Sequence, residues 1–172
     1  VATGRFRIKQ AAPEELLPAA RTVAACWRET YPFADAVFDM KDARTPQQAE
    51  GWDLRSQLGE YFWIVVDHEA EPEPDGLRPI VGVAHAAVSE EKNAPTPLLL
   101  DLMYLRQLAQ GSGIADRLIE MAIGDAPAYL WVLERNERAL AFYRRHGFEL
   151  DGVRKPLTGG MEGWDDLRMV RG

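Results

Sequence analysis

The sequence predicts a mixed α/β fold, with one domain expected over residues 1–172. Apolar runs of strand length come early and are joined by short polar or proline-rich loops. Strand and helix patterns then alternate through the second half, which places both kinds of element on one sheet. Hydrophobic residues make up 47% and charged residues 27% of 172 positions, enough for one core of ordinary size.

Each element has its own signal. "RFRIK" alternates and reads as a strand, Arg5–Lys9. "APEELLPAARTVAACWRETYP" reads as a helix beginning near Pro13. Proline is tolerated in a first turn, and Glu14 and Glu15 suit the positive end of the helix dipole. Leu16, Val23, Ala24 and Trp27 share one face of it. A loop is expected over Pro32–Thr45, then a second helix from Pro46 to Glu60 with Thr45 as its cap. "YFWIVVDH" (61–68) and "IVGVAHAAVS" (80–89) are strands joined by the acidic, proline-rich "EAEPEPDGLRP" (69–79). "LLLDLMYL" (98–105) is a buried strand carrying one acid, Asp101. A helix over Ser112–Ile123, the strand "AYLWVLE" (128–134) and the helix "NERALAFYRRHG" (136–147) follow. Asn136 caps that last helix and Gly147 stands where a terminating glycine belongs. "FELDGVRK" and "DDLRMVR" close the chain as two strands.

The balance of 20 Lys+Arg against 27 Asp+Glu gives a formal charge of −7, which argues against a nucleic-acid partner. Cys26 is the only cysteine, so no intrachain disulfide and no cysteine metal cluster can form. It falls in an apolar helical pattern and reads as a buried structural thiol. His68, His85 and His146 lack partners at metal-ligand spacing, and no metal is expected. "VATGRFRIKQ" lacks the apolar core of a signal peptide, and no run approaches the ~18 apolar residues of a membrane span. The expectation is a soluble cytoplasmic chain without a membrane partner.

The most informative stretch is "MYLRQLAQGSGIADRLIEMA", Met103–Ala122, where a strand breaks into a glycine loop and then a helix. A helix start needs one cap, and two glycines only weaken the helix. Glycines here let main-chain N–H groups approach a ligand, and the first N–H groups of a helix have no internal acceptor. A phosphate is the usual guest. "QGSGIA" (Gln110–Ala115) is therefore a candidate phosphate cradle; the alternative is a tight turn without a ligand. The Walker loop is excluded, because Ile114-Ala115 stands where Lys-Ser/Thr is required. The dinucleotide fingerprint is excluded by glycine spacing.

Gln110-x-x-Gly113-x-Ala115 resembles the Q/R-x-x-G-x-G/A signature of the GNAT N-acetyltransferase superfamily. The following block, N-x-x-A-x-x-F-Y-x-x-x-G-F, is matched by Asn136, Ala139, Phe142, Tyr143, Gly147 and Phe148, one strand downstream as that family requires. The resemblance covers residues 98–152. Gln107 stands where the family often has proline, and Gln110 where it often has arginine. The resemblance implies a largely antiparallel central sheet with flanking helices and two splayed parallel strands, ending at Leu105 and spanning Tyr129–Leu133. It implies acetyl-CoA as cosubstrate, its pantetheine bonded to main chain near Met103 and Leu105 and passing Asn136. The pyrophosphate would sit on the N–H groups of Gln110, Gly111, Ser112, Gly113, Ile114 and Ala115.

The implied reaction is direct attack of a primary amine, on a small molecule or peptide, on the thioester in a ternary complex. A tetrahedral intermediate forms and a thiolate leaves. The alternatives are a noncatalytic acyl-CoA-binding module and transfer of a longer acyl group. Tyr143 is the expected acid for the thiolate, since a tyrosine of pKa ~10 is protonated at neutral pH; its alternative is a core tyrosine beside Leu140 and Phe142. The oxyanion donor would be a main-chain N–H near Leu105, where the strand should bulge. Asp101 is the leading base, on a strand face with Leu99, Met103 and Leu105. Its alternative is an ion pair with an arginine at the sheet edge. Glu134 acting through water, or a water relay with no single base, are the others, and His85 reads as a satisfied core histidine. Trp27, Tyr31, Phe33 and Asp35 are candidates for acceptor recognition. Trp52, Trp63, Trp131 and Trp164 read as packing residues, with a homodimer contact as the alternative for Trp164.

Overall fold

The computed structural model describes residues 4–172; residues 1–3, the start of the stretch read above for a leader, lie outside them. Seven strands form: β1 (Phe6–Gln10), β2 (Phe62–Asp67), β3 (Ile80–Val88), β4 (Leu98–Leu105), β5 (Ala128–Leu133), β6 (Glu149–Pro156) and β7 (Asp165–Arg171). They make one sheet in the order β1-β2-β3-β4-β5-β7-β6, antiparallel except for β4 beside β5. That parallel pair is joined in only two register positions, Leu98 with Ala128 and Leu99 with Tyr129. Above them the two strands part, as the resemblance implies.

The period-two alternation of the strands divides the core between the two sheet faces. Phe62, Ile64 and Val66 of β2, Ile80 and Val83 of β3, and Leu102 of β4 pack under α1 (Leu16–Thr30) and α2 (Asp35–Gln57). On the other face, Val65, Val81, Ala84, Leu100, Leu130 and Val132 pack against α3 (Ile114–Ile123) and α4 (Glu137–Arg145). Each fully buried side chain of this size contributes about 1.5–3 kcal/mol of transfer free energy. Among the described residues no helix is long and apolar enough to cross a membrane, and no group of three metal-ligating side chains converges.

Two expectations are corrected. The loop over Pro32–Thr45 is mostly helix: α2 starts at Asp35 and runs through Pro46 without a break. Proline removes an N–H and so orphans the carbonyl four residues back. Here the Thr45 hydroxyl donates to the Asp42 carbonyl at 2.8 Å and makes good that loss. Thr45 therefore mends a helix interior and does not cap a helix start. The second correction concerns β4. His85 pairs with Leu102 but Ala86 pairs with Leu100, so Asp101 is the extra residue of a bulge. The bulge lies there and not near Leu105, and it breaks the expected alternation. Leu100, Met103 and Leu105 pack toward α3, whereas Leu102 and Tyr104 pack toward α1. Asp101 does not share the face of Met103 and Leu105.

Candidate functional site

The parting of β4 and β5 opens a cavity of about 630 Å³ that passes between the strands. Arg106 donates its N–H to Val81 on β3. Alternation along an antiparallel ladder then turns the main-chain groups of Leu105 and Met103 the other way, into the gap. The Leu105 carbonyl accepts a bond from Gln110 Nε2 at 3.1 Å, so Gln110 braces the loop against the strand. Arg106 Nε to Glu29 Oε1 at 2.7 Å and the Gln107 N–H to Glu29 Oε2 at 3.0 Å fasten the same loop to α1.

At the mouth of α3 the main chain is left open. Gly111 and Gly113 have φ of +77° and +85°, and a Cβ on either would point into empty space. Packing does not demand these glycines; backbone conformation does. Among the described residues no acceptor meets the N–H groups of Gly111, Ser112, Gly113 or Ala115. The Gln110 N–H is already bonded to the Gln107 carbonyl, and that of Ile114 has only a long 3.4 Å contact to Ser112 Oγ. Ser112 Oγ in turn donates to the Ala109 carbonyl at 2.6 Å. Gln110, Gly111, Gly113 and Ala115 line the cavity, while the Ile114 side chain is core. Arg138 and Arg145 of α4, which sequence reasoning missed, line it too, and Arg145 lies 3.4 Å from Asp116 on the first turn of α3. A pair of arginines beside unpartnered N–H groups can hold a diphosphate.

Asn136 caps α4 by accepting the Ala139 N–H at 3.2 Å and donates through Nδ2 to the Tyr31 hydroxyl at 3.0 Å. It lines the cavity, yet its amide is spent on positioning Tyr31. Tyr143 reaches the cavity from α4; burial holds its hydroxyl well above the ordinary tyrosine range, so it stays protonated at neutral pH. Among the described residues that hydroxyl makes no hydrogen bond. Met103 and Leu105 line the opposite wall.

The end of the cavity beneath α1 is aromatic and acidic. Trp27 and Tyr31 lie 4.6 Å apart, Tyr31 and Phe33 5.9 Å, and Phe33 meets Trp164 edge-on at 5.2 Å. Trp27 and Tyr31 line the cavity, but Asp35 does not; it heads α2 beside Arg28. Trp164 is half-buried on Phe33, under the Arg135 guanidinium, not a free surface residue. Trp131, read as core, instead lines the cavity. Asp166, unforeseen in the sequence, does so as well, and burial raises its carboxyl above the ordinary range. Burial pushes the Cys26 thiol on the same wall up to about 12, as befits an inert thiol. Glu134 is not on the cavity: Arg154 at 2.6 Å and the Asp165 N–H at 3.1 Å occupy its two oxygens.

Asp101 lines the cavity with a partly exposed carboxylate, and its partner is no arginine. Its Oδ2 lies 3.1 Å from His85 Nδ1, and His85 Nε2 lies 2.6 Å from Glu60 Oε2. The His85 ring is fully buried and stacked on Phe62 at 4.1 Å.

The family model described as Acetyltransferase (GNAT) domain matches residues 59–150. Over 71 residues the chain is 34% identical to a probable N-acetyltransferase of Mycobacterium tuberculosis, a match covering 38% of this chain and 41% of that one. The chain thus matches about two fifths of that relative's length. An N-acetyltransferase from Staphylococcus aureus Mu50 shares the fold with a TM-score of 0.66, over 97% of both chains at 17% identity. The PaiA N-acetyltransferase of Thermoplasma acidophilum, solved with coenzyme A, gives a TM-score of 0.62 over 96% of this chain and 98% of that one, at 16% identity.

Proposed function

The chain belongs to the GNAT acetyltransferase family, and on that premise we propose that it moves an acetyl group from acetyl-CoA to a primary amine of a small-molecule or peptide acceptor, both bound at once. The observation that carries this reading is the row of unpartnered N–H groups at Gly111, Ser112, Gly113 and Ala115, opening on the gap between β4 and β5. Those groups, with Arg138 and Arg145, would hold the diphosphate, and the main chain of Met103 and Leu105 would hold the pantetheine arm as an added strand would.

Acetyl-CoA, when bound, supplies an activated acetyl group whose sulfur can leave. Asp101 takes a proton from the acceptor ammonium, freeing the nitrogen lone pair for attack. Asp166 and the faces of Trp27, Tyr31 and Trp131 favour a cationic acceptor and hold it in line. Tyr143, kept protonated by burial, donates to the departing sulfur, and the second N–H proton shed by the attacking nitrogen as the amide forms replaces the one that Tyr143 gives up. Cys26, Trp27 and Thr30 of α1 keep bulk water from the side of the cavity that they line.

Calorimetry with acetyl-CoA and thiol release with a panel of amines test the reading together. We expect binding, and turnover with at least one cationic amine. Binding without turnover for any amine would favour an acyl-CoA-binding module. Gly113→Val should weaken acetyl-CoA binding by tenfold or more. Because φ is +85°, the same change also costs about 1–2 kcal/mol of stability. Undiminished affinity in a folded variant would contradict the cradle.

A further inference from the structure

We propose that Glu60, His85 and Asp101 act as one proton-accepting unit, with Asp101 touching the acceptor amine, His85 storing the proton and Glu60 fixing the tautomer of His85. The proposal rests on the acetyltransferase reading given above.

The geometry sets the proton positions. Glu60 Oε2 already accepts from Arg55 Nε at 2.8 Å, so it is an acceptor carboxylate. The ring nitrogen 2.6 Å away must therefore be a donor, and the His85 proton sits on Nε2. In the neutral ring Nδ1 then keeps a lone pair, which faces Asp101 Oδ2 across 3.1 Å. Two acceptors held face to face repel, and a proton placed between them turns that contact into a hydrogen bond. The ring cannot turn away to relieve the repulsion, because it is fully buried and lies flat on Phe62 at an interplanar angle of 2°. The carboxylate end of the unit opens on the cavity; the Glu60 end lies across the sheet, partly exposed.

The step balances without a further reactant. An N–H bond of the acceptor ammonium breaks and leaves its electron pair on nitrogen. An O–H bond forms on Asp101, and the proton is shared across to His85 Nδ1. The unit passes from one mobile proton to two. After the products leave, water entering the cavity takes the proton back through Asp101. The β4 bulge is what makes this geometry: without the extra residue, Asp101 would fall on the wrong face to meet His85. The charged or titratable groups facing the unit are Arg55 from α2, Glu60 ahead of β2, and Asp101 on β4. Cys26 on α1, Tyr104 on β4 and Asp166 on β7 line the adjoining cavity.

The test pairs kinetics with nitrogen NMR on the full chain. Glu60→Gln and His85→Gln should each lower kcat tenfold to a hundredfold for alkylamines that are ammonium ions at the assay pH, and alter the shape of the acidic limb of the pH profile. The Kd for acetyl-CoA should stay within twofold of wild type, and arylamines already neutral at that pH should lose no more than threefold. Glu60 lies at the edge of the core, so Glu60→Gln remains informative if His85→Gln fails to fold. In protein labelled with nitrogen-15 histidine, His85 Nδ1 should gain its proton across the same acidic limb, and Asp101→Asn should abolish that event. If wild type turns over while Glu60→Gln keeps the wild-type rate and pH profile, or if Nδ1 carries a proton throughout, the proposal is overturned and the acetyltransferase reading stands. A wild type that binds acetyl-CoA but acetylates no amine overturns the acetyltransferase reading and the base role together.

Discussion

At the scale of single residues, chemistry and packing are separable at Tyr143. Its ring packs edge-on against Phe148 at 6.0 Å and against Phe142 at 5.4 Å, while its hydroxyl makes no hydrogen bond among the described residues. Tyr143→Phe keeps the ring and removes only the donor. We expect turnover to fall about 10²–10³-fold, with acetyl-CoA affinity unchanged and the melting temperature preserved; unchanged turnover would remove Tyr143 from the chemistry. The two motifs, through the resemblance they carry, picked out Tyr143, Asn136 and the glycine loop, and the structure brings all three to one cavity. Asp101 was legible only as an odd charge in an apolar strand. Its partners were not, since Glu60, His85 and Asp101 meet through strand register, and register with a bulge has no local signature. Arg138, Arg145 and Asp166 were missed for a related reason. A charged residue on an amphipathic helix or at the end of a strand looks the same whether it faces solvent or a cavity.

At the scale of elements, α2 carries the clearest lesson. Phe38, Thr45, Ala49 and Trp52 are buried and recur at spacings of seven, four and three, which is one face of a single helix. Thr-Pro in the middle of that face gives the same letters as a cap followed by a first-turn proline, and the two readings differ only in where the threonine hydroxyl points. The bond from Thr45 Oγ1 to the Asp42 carbonyl decides it. Thr45→Val keeps the shape of the side chain and leaves that carbonyl orphaned, so it should cost about 1 kcal/mol in urea denaturation. A cost indistinguishable from zero would mean that water serves the carbonyl as well. The strands, by contrast, were readable almost to the residue, because a run such as "YFWIVVDH" between turn signals leaves few alternatives.

At the scale of the whole molecule, the pH dependence of stability has one well-defined contributor at the outer edge of the sheet. Asp67 is buried at the end of β2, and hydrogen bonds from the Arg5 guanidinium, at 2.9 to 3.2 Å, hold its carboxyl below the ordinary range. A lowered folded-state value contributes stability above the unfolded pKa of ~3.9, and that stability is lost as pH falls through the folded value. Asp67→Asn should therefore cost about 1–2 kcal/mol at pH 7, with the difference from wild type closing below about pH 4. A gap that persists into acid would assign the effect to packing. The meeting of β4 and β5 has a different consequence for the molecule. Two rungs of ladder pair the four-stranded half of the sheet with the three-stranded half, and the buried cluster around Leu100, Ile119 and Leu130 and bonds such as Asn136 to Tyr31 complete the join. If the acyl donor lies in that seam as proposed, it adds bonds along β4, so resistance to heat should double as a gauge of occupancy and acyl donors could be ranked before any acceptor has been identified.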